Sequence, residues 1–203
     1  NKIYHYCSLG EAPQDKKFKN EKTYLIIGNG NTIREFCTFN VGTIDGGGIT
    51  QIGSNNWLMA YVHIAHDCKL RNDIVLANNS SLAGHVEIDD FAILGGFTLV
   101  HQFCKIGAHI ITGVGTIILK DIPPYIRAAG DNAKPNGINI EGLKRRNFSP
   151  QIISDIKKAY KKIYREGNTI DVAKKMLEKL AKKTKEVNLF IDFIDESNRG
   201  LIR

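Results

Sequence analysis

Apolar residues recur every six positions through the first two thirds of the chain. From Ile52 the series runs Leu58, Ile64, Leu70, Leu76, Leu82, Ile88, Leu94, Val100, Ile106, Thr112 and Ile118, and eleven of these twelve are aliphatic. Ile27, Ile33 and Phe39 keep the same period, as do Ile3 and Leu9. Four residues after most of these positions stands a small or β-branched residue, among them Val62, Cys68, Ser80, Val86, Ala92, Thr98, Cys104 and Thr116. A period of six fits neither the 3.6-residue helix nor a simple alternating strand. It is the signature of a hexapeptide β-helix, in which short strands wrap into a prism. Three hexapeptides make one coil of 18 residues, and successive coils stack about 4.8 Å apart. Each coil buries its apolar corners only against its neighbours, so the stack is stable as a unit. The pattern therefore predicts a mainly β chain, with a hexapeptide β-helix over residues 1–124.

Two interruptions are predicted to be loops thrown out from the coils, over residues 11–24 and 43–50. Between Leu9 and Ile27 the chain keeps a multiple of six but loses its apolar corners. Between Phe39 and Ile52 the gap is thirteen residues, twelve plus one, and holds Asp45-Gly46-Gly47-Gly48. The glycines predict a flexible loop, and loops on a rigid scaffold are where binding residues are commonly presented.

The repeat is expected to end near Asp121, stopped by Pro123-Pro124, with an irregular connecting segment over 125–148. Beyond it the period changes, predicting a small α-helical domain over 149–203. Ser149-Pro150 is a helix start, with Ser as cap and Pro in the first turn. Ile152, Ile153, Ile156, Ala159, Tyr160 and Ile163 then follow a 3.6 period towards Gly167. A second helix is expected after Thr169 and a third around Val187 to Ile194.

All four cysteines, Cys7, Cys37, Cys68 and Cys104, occupy the small interior slot of the repeat. They read as core residues, not as ligands or disulfides. Charge is uneven. Residues 144–203 hold 16 Lys/Arg and 8 Asp/Glu, a net of +8, against −1 for the remaining 12 and 13. Such asymmetry suits either a solvated helix face or an acidic partner. Nucleic acid is disfavoured as that partner, because aromatic residues are sparse among the basic ones, where stacking platforms would need many. No apolar run approaches the length of a membrane span, and no signal peptide is visible. Asn1 is not Met and falls in mid-repeat, so the native N-terminus is expected upstream.

Stacking at a spacing of eighteen converts scattered polar residues into one candidate site. His66 falls in register with Gly84 and Gln102, and Asp67 with His85. His63 precedes this face and His101 borders it, while His5 and His109 are read as surface residues. A histidine beside a carboxylate is an oriented general base. A glycine next to it leaves an amide N–H open to an oxyanion. No serine nucleophile shares the spot and Cys68 is expected to point inward, which favours direct base-assisted acyl transfer over a covalent intermediate. A competing reading has His63, His66, His85 and His101 bind zinc, which needs three imidazoles aimed at one point. A third is a non-catalytic binding solenoid.

H-I-A-H-D-C at 63–68, L-A-G-H-V at 82–86, V-H-Q-F-C at 100–104, I-G-A-H at 106–109 and N-I-E-G-L-K-R-R at 139–146 resemble the UDP-N-acetylglucosamine O-acyltransferase family. The likeness extends over essentially the whole chain, from the Gln14-Asp15 loop to R-G-L-I-R at 199–203. It implies a left-handed parallel β-helix with a small C-terminal α-helical domain. It also implies a cytoplasmic homotrimer whose sites lie between neighbouring prisms, with neither cofactor nor metal. The implied reaction moves an (R)-3-hydroxyacyl group from acyl carrier protein to the 3-hydroxyl of UDP-N-acetylglucosamine, at the start of lipid A synthesis. The runner-up is another hexapeptide acyltransferase using acyl carrier protein or coenzyme A.

Carried over by motif, His66 is the implied base, Asp67 its support and the Gly84 amide the oxyanion donor. Asp15, His63, His85, His101 and Gln102 would hold the sugar nucleotide or line the acyl path. Asn139, Glu141, Arg145 and Arg146 would hold the nucleoside and phosphates, for which the guanidinium fork is suited. The basic C-terminal region would steer the acidic acyl carrier protein. Three departures stand out. The family begins with about three more coils of this size. Asn40 stands where a His is expected. Val114 and Asn132 fall in the region that sets acyl length, where Val in place of Gly shortens the groove.

Overall fold

A computed structural model describes residues 1–203. Its first part is a left-handed parallel β-helix, the solenoid that the hexapeptide period predicts with the handedness that the resemblance implies. Three faces, built mostly from two-residue strands, hold eight, six and five strands, all parallel except for the last strand of the first face. Register is regular at eighteen from Trp57 to Ile118: His63 pairs with Ser81, and Ser81 with Leu99.

The interior is made of columns. Phe39, Ile64, Leu82, Val100 and Ile118 form one, Ile33, Leu58, Leu76 and Leu94 a second, and Ile52, Leu70, Ile88 and Ile106 a third, all at most 3% exposed. Between them stand the small residues, including Cys37, Cys68 and Cys104, each fully buried and free. At the corners the backbone turns through the left-handed region. Every sixth residue from Asn55 to His109 has a φ between 57° and 64°. Asn and Asp tolerate this conformation best. Phe91, His109 and Tyr125 occupy it too, and they stack ring on ring across successive coils.

Two inward positions carry asparagine instead of an apolar residue. Asn31 and Asn56 are each 1% exposed. The Asn56 amide N–H donates to Oδ1 of Asn31 at 2.8 Å, and Oδ1 of Asn56 accepts from the amide of Ile74 at 2.8 Å. Their Nδ2 groups donate to the carbonyls of Gly53 and Arg71. This ladder satisfies buried backbone groups that the coil turns leave unpaired.

The thirteen-residue gap resolves differently from twelve plus one. Thr38 pairs with His63 and Ile27 with Ile52, a spacing of 25 in place of 18, so the coil carries a seven-residue insertion. The insertion folds into a 3₁₀ turn over Ile44–Gly46, capped by Thr43. It is a hydrogen-bonded turn and not the flexible loop that three glycines suggested.

Pro123-Pro124 does not end the solenoid. Tyr125 donates its amide to Ala108 at 2.8 Å, and Ile126–Ala129 joins the eight-stranded sheet beside Ile111–Thr112. The expected irregular segment 125–148 then forms an antiparallel hairpin with Lys134–Ile138, followed by helix α1, Ile140–Arg145. A proline pair lacks donors, but it fits a corner where the neighbouring coil presents Gly107, whose missing side chain Pro124 occupies.

The helices follow the expected period: α2 is Pro150–Tyr164, α3 Ile170–Ala181 and α4 Asn188–Glu196. Ser149 and Thr169 cap the first two through their hydroxyls. Ile156, Ala159, Ile163, Leu177, Phe190 and Phe193 form their core. Two buried residues, Tyr125 and Asp121, are among those that bind this domain to the solenoid. The buried Tyr125 hydroxyl donates to the Glu186 carbonyl at 2.9 Å. The buried Asp121 carboxylate accepts from the hydroxyl of Ser197 and the amides of Lys105 and Arg199.

Candidate active site

His66 and Asp67 form the turn between the strands His63–Ile64 and Lys69–Leu70. Adjacent side chains on a strand diverge, but Asp67 has a φ of 60°, which swings its carboxylate back beneath the imidazole. Nδ1 of His66 lies 2.7 Å from Oδ2 of Asp67. The carboxylate is 1% exposed, and its oxygens accept from the amide of Thr43 at 2.8 Å and the hydroxyl of Thr43 at 2.7 Å. The Asp67 amide donates to Oγ1 of Thr50 at 2.8 Å. An ionised carboxylate can only accept, so Nδ1 carries a proton, and in the neutral ring Nε2 presents a lone pair.

Gly84 lies under that imidazole. A Cβ there would stand 2.6 Å from Cε1 and 2.8 Å from Nε2 of His66. The flanking amides of Ala83 and His85 donate to the carbonyls of Val100 and His66, while the Gly84 amide has no protein acceptor. The site thus holds a lone pair and a free donor side by side, the two groups an acyl transfer needs.

His85 crosses His66 at 90°, with ring centroids 5.2 Å apart, and stacks on Phe103 at 4.4 Å. Its Nε2 is 3.7 Å from Oδ2 of Asp67. Burial lowers its pKa, while the charges of Asp67 and Asp15 act in the opposite direction. That coupling places Asp15 in the electrostatic neighbourhood of the site, on the loop that Asn40 anchors through its bond to the Ala12 carbonyl at 3.0 Å. His63 hydrogen-bonds Oγ1 of Thr38 at 2.8 Å, and burial lowers its pKa. A cavity of about 410 Å³ opens beside Asp67 and His85, lined also by Lys69, Lys105 and Arg199.

Other expected members make no hydrogen bond to the His66–Asp67 pair. His101 and Gln102 are exposed, and the His101 ring contacts only the Gln102 carbonyl, at 3.2 Å. Asn139, Glu141, Arg145 and Arg146 lie at a different corner and make no hydrogen bond to the His66 group. Asn139 is buried and committed to the fold: it caps α1 at Gly142 and donates to the His109 carbonyl at 2.9 Å. Arg146 packs over Phe91 and donates to its carbonyl at 3.0 Å, while Glu141 pairs with Lys144 and Arg145 is exposed. His109, read as a surface residue, is instead buried between Phe91 and Tyr125. The stack at the left-handed corners overrides its polarity.

Four donor histidines do not converge as a zinc site requires. Only His66 and His85 come together with Asp67, their donor atoms within 4.8 Å of one another. His63 is turned to Thr38 and His101 to its neighbour's carbonyl. Sequence reasoning missed Thr43 and Gly46, because a seven-residue insertion carries them out of the eighteen-residue register. Pairing Thr38 with His63 before counting would have found them.

Comparison with known proteins finds relatives along the whole chain. A family model described as UDP-N-acetylglucosamine O-acyltransferase, domain 2, matches residues 121–202. The acyl-[acyl-carrier-protein]–UDP-N-acetylglucosamine O-acyltransferase of Thiobacillus denitrificans is 57% identical over 203 residues, spanning 100% of this chain and 79% of its own. That of Janthinobacterium sp. is 53% identical over 207 residues, again 100% and 79%. The solved UDP-N-acetylglucosamine O-acyltransferase of Moraxella catarrhalis superposes with a TM-score of 0.98 at 45% identity, covering 100% of this chain and 79% of that one. The Francisella novicida enzyme gives 0.97 at 43%, covering 99% and 74%.

Proposed function

The chain belongs to the UDP-N-acetylglucosamine O-acyltransferase family, and from that membership we propose that it transfers an (R)-3-hydroxyacyl group from acyl carrier protein to the 3-hydroxyl of UDP-N-acetylglucosamine, opening lipid A synthesis. The observation that carries the chemical assignment is the pairing of Nδ1 of His66 with the buried Asp67 at 2.7 Å, which leaves Nε2 free above the unpaired Gly84 amide.

Nε2 of His66 removes the proton of the sugar hydroxyl as that oxygen attacks the thioester carbonyl. Asp67 stabilises the imidazolium that forms. The carbonyl oxygen becomes an oxyanion facing the Gly84 N–H. Collapse of the tetrahedral species breaks the C–S bond, and the departing thiolate takes the proton back from His66. The chain's own groups supply each step, without a metal or cofactor.

His63, His85 and Asp15 surround the acceptor sugar, and His101 and Gln102 border the acyl path. Asn139, Glu141, Arg145 and Arg146 lie at another corner of the same prism. They serve a site if a neighbouring prism brings them to it, as in a homotrimer with sites between subunits. Asn139 and Arg146 then act largely by shaping α1, leaving Glu141 and Arg145 the freer side chains. The net charge of +8 over residues 144–203 favours encounter with a strongly acidic carrier protein. No helix is long and apolar enough to cross a membrane, and we place the reaction in the cytoplasm.

The test is acyl transfer by the intact protein in chelator, with UDP-N-acetylglucosamine and a hydroxyacyl-loaded carrier protein, comparing wild type and His66→Ala. Loss of a general base lowers the rate by at least about a hundredfold. A His66→Ala variant with wild-type rates would remove His66 from the role of base. An enzyme that worked only with added zinc would favour the metal reading.

A further inference from the structure

The seven inserted residues of the tri-glycine turn present no side chain to the dyad except that of Thr43. Ile44 is 59% exposed and Asp45 points to solvent. The turn nevertheless closes directly on Asp67. The Thr43 amide donates to Oδ1 at 2.8 Å and its hydroxyl lies 2.7 Å from Oδ2. The same hydroxyl oxygen accepts the Gly46 amide at 3.2 Å, so its single proton is directed to the carboxylate. The Thr43 carbonyl accepts the amides of Gly46 and Gly48, which closes the turn. Gly46 lies against the carboxylate so closely that a Cβ there would overlap it.

Both oxygens of Asp67 are thus held by one residue, and Oδ2 is shared between Thr43 and Nδ1 of His66. We propose that Thr43 is a positioning residue for the transfer reaction: it fixes the Asp67 carboxylate in the plane and rotamer that orient His66. This inference rests on the assignment of His66 as base. Without the hydroxyl, Oδ2 keeps only His66 as a strong partner while Oδ1 keeps the Thr43 amide, so the carboxylate is held less firmly in its plane. The imidazole then loses the fixed partner that aims Nε2, as groups behind a ligand or base do when their support is removed.

Thr43→Val keeps shape and removes the hydroxyl, Thr43→Ala removes the β-branch as well, and Thr43→Ser restores the donor. We expect Thr43→Val and Thr43→Ala to lower kcat by about tenfold or more, a fraction of what the base itself supplies. KM for the sugar nucleotide and the thermal midpoint should stay near wild type, and Thr43→Ser should recover most of kcat. In an Asp67→Asn background, Thr43→Val should add little, because both changes act through one carboxylate. Full kcat in Thr43→Val beside an inactive His66→Ala would sink this inference and leave the base in place. So would effects of Thr43→Val and Asp67→Asn that multiply, or a kcat loss that tracks thermal midpoint and is not rescued by Ser. An active His66→Ala would remove both.

Discussion

Gly84 and His66 interlock across one coil step: the imidazole occupies the space that a side chain on Gly84 would fill, with Cε1 only 2.6 Å from an ideal Cβ. The hexapeptide register places Gly84 eighteen residues after His66. The absence of a side chain lets the ring lie flat over the backbone and keeps the adjacent N–H open. One position therefore serves two groups of the reaction.

Gly84→Ala should displace the His66 ring, since the new methyl cannot share its space. The expected result is a kcat loss on the order of a hundredfold, comparable to removing a general base or an oxyanion donor. The thermal midpoint should change little, because the solenoid core columns are untouched. Steady-state kinetics beside a thermal melt check this. An Ala variant with normal kcat would show that neither the ring position nor the N–H matters.

His109 should make stability depend on pH. Burial between Phe91 and Tyr125, reinforced by the charge of Arg146, lowers its pKa to about 4. Its buried Nδ1 has no partner, so a second ring proton would find no acceptor. The folded protein therefore keeps the ring neutral, while the unfolded chain takes up the proton near its ordinary value of about 6.5. The resulting stability is fully present above about pH 6.5 and is lost as pH falls towards 4. Thermal midpoints across that window should decline more steeply in wild type than in His109→Phe, which keeps the stack. Equal slopes would count against a neutral His109.

Asn56 carries the buried ladder. Asn56→Ala leaves the Ile74 amide and the Arg71 carbonyl without their partners. The orphaned Ile74 amide, fully buried, costs about 1–3 kcal/mol and the part-buried Arg71 carbonyl about 1 kcal/mol, so a loss of about 2–4 kcal/mol is expected. Denaturant unfolding of the variant against wild type measures it. A loss below about 1 kcal/mol would mean that the coil re-forms these bonds with other groups.

Much of this was legible because a solenoid repeats. Each interior position depends on one residue and its neighbours eighteen away. Ile64, Leu82 and Val100 could therefore be aligned from the chain alone, and with them His66 over Gly84 and Asp67 over His85. The caps Ser149 and Thr169 were equally local. The illegible parts are those where spacing changes or a contact comes from a distant turn. The seven-residue insertion hid Thr43 and Gly46. The corner formed by Pro123-Pro124 looked like an ending because a proline pair lacks donors, yet Gly107 in the coil beneath makes room for it.

The period of six, read from the sequence alone, determined the prism, its buried cysteines and the column holding His66, because side-chain direction in a stacked coil follows from position within the repeat. Tertiary structure decided what a repeat cannot encode. It swung Asp67 beneath His66 through a left-handed corner, closed the Thr43 turn over the carboxylate, and drew His109 into an aromatic stack. It also placed Asn139 and Arg146 at a separate corner. Each of these depends on backbone conformation or on partners outside the register, and those are settled only when the coils pack.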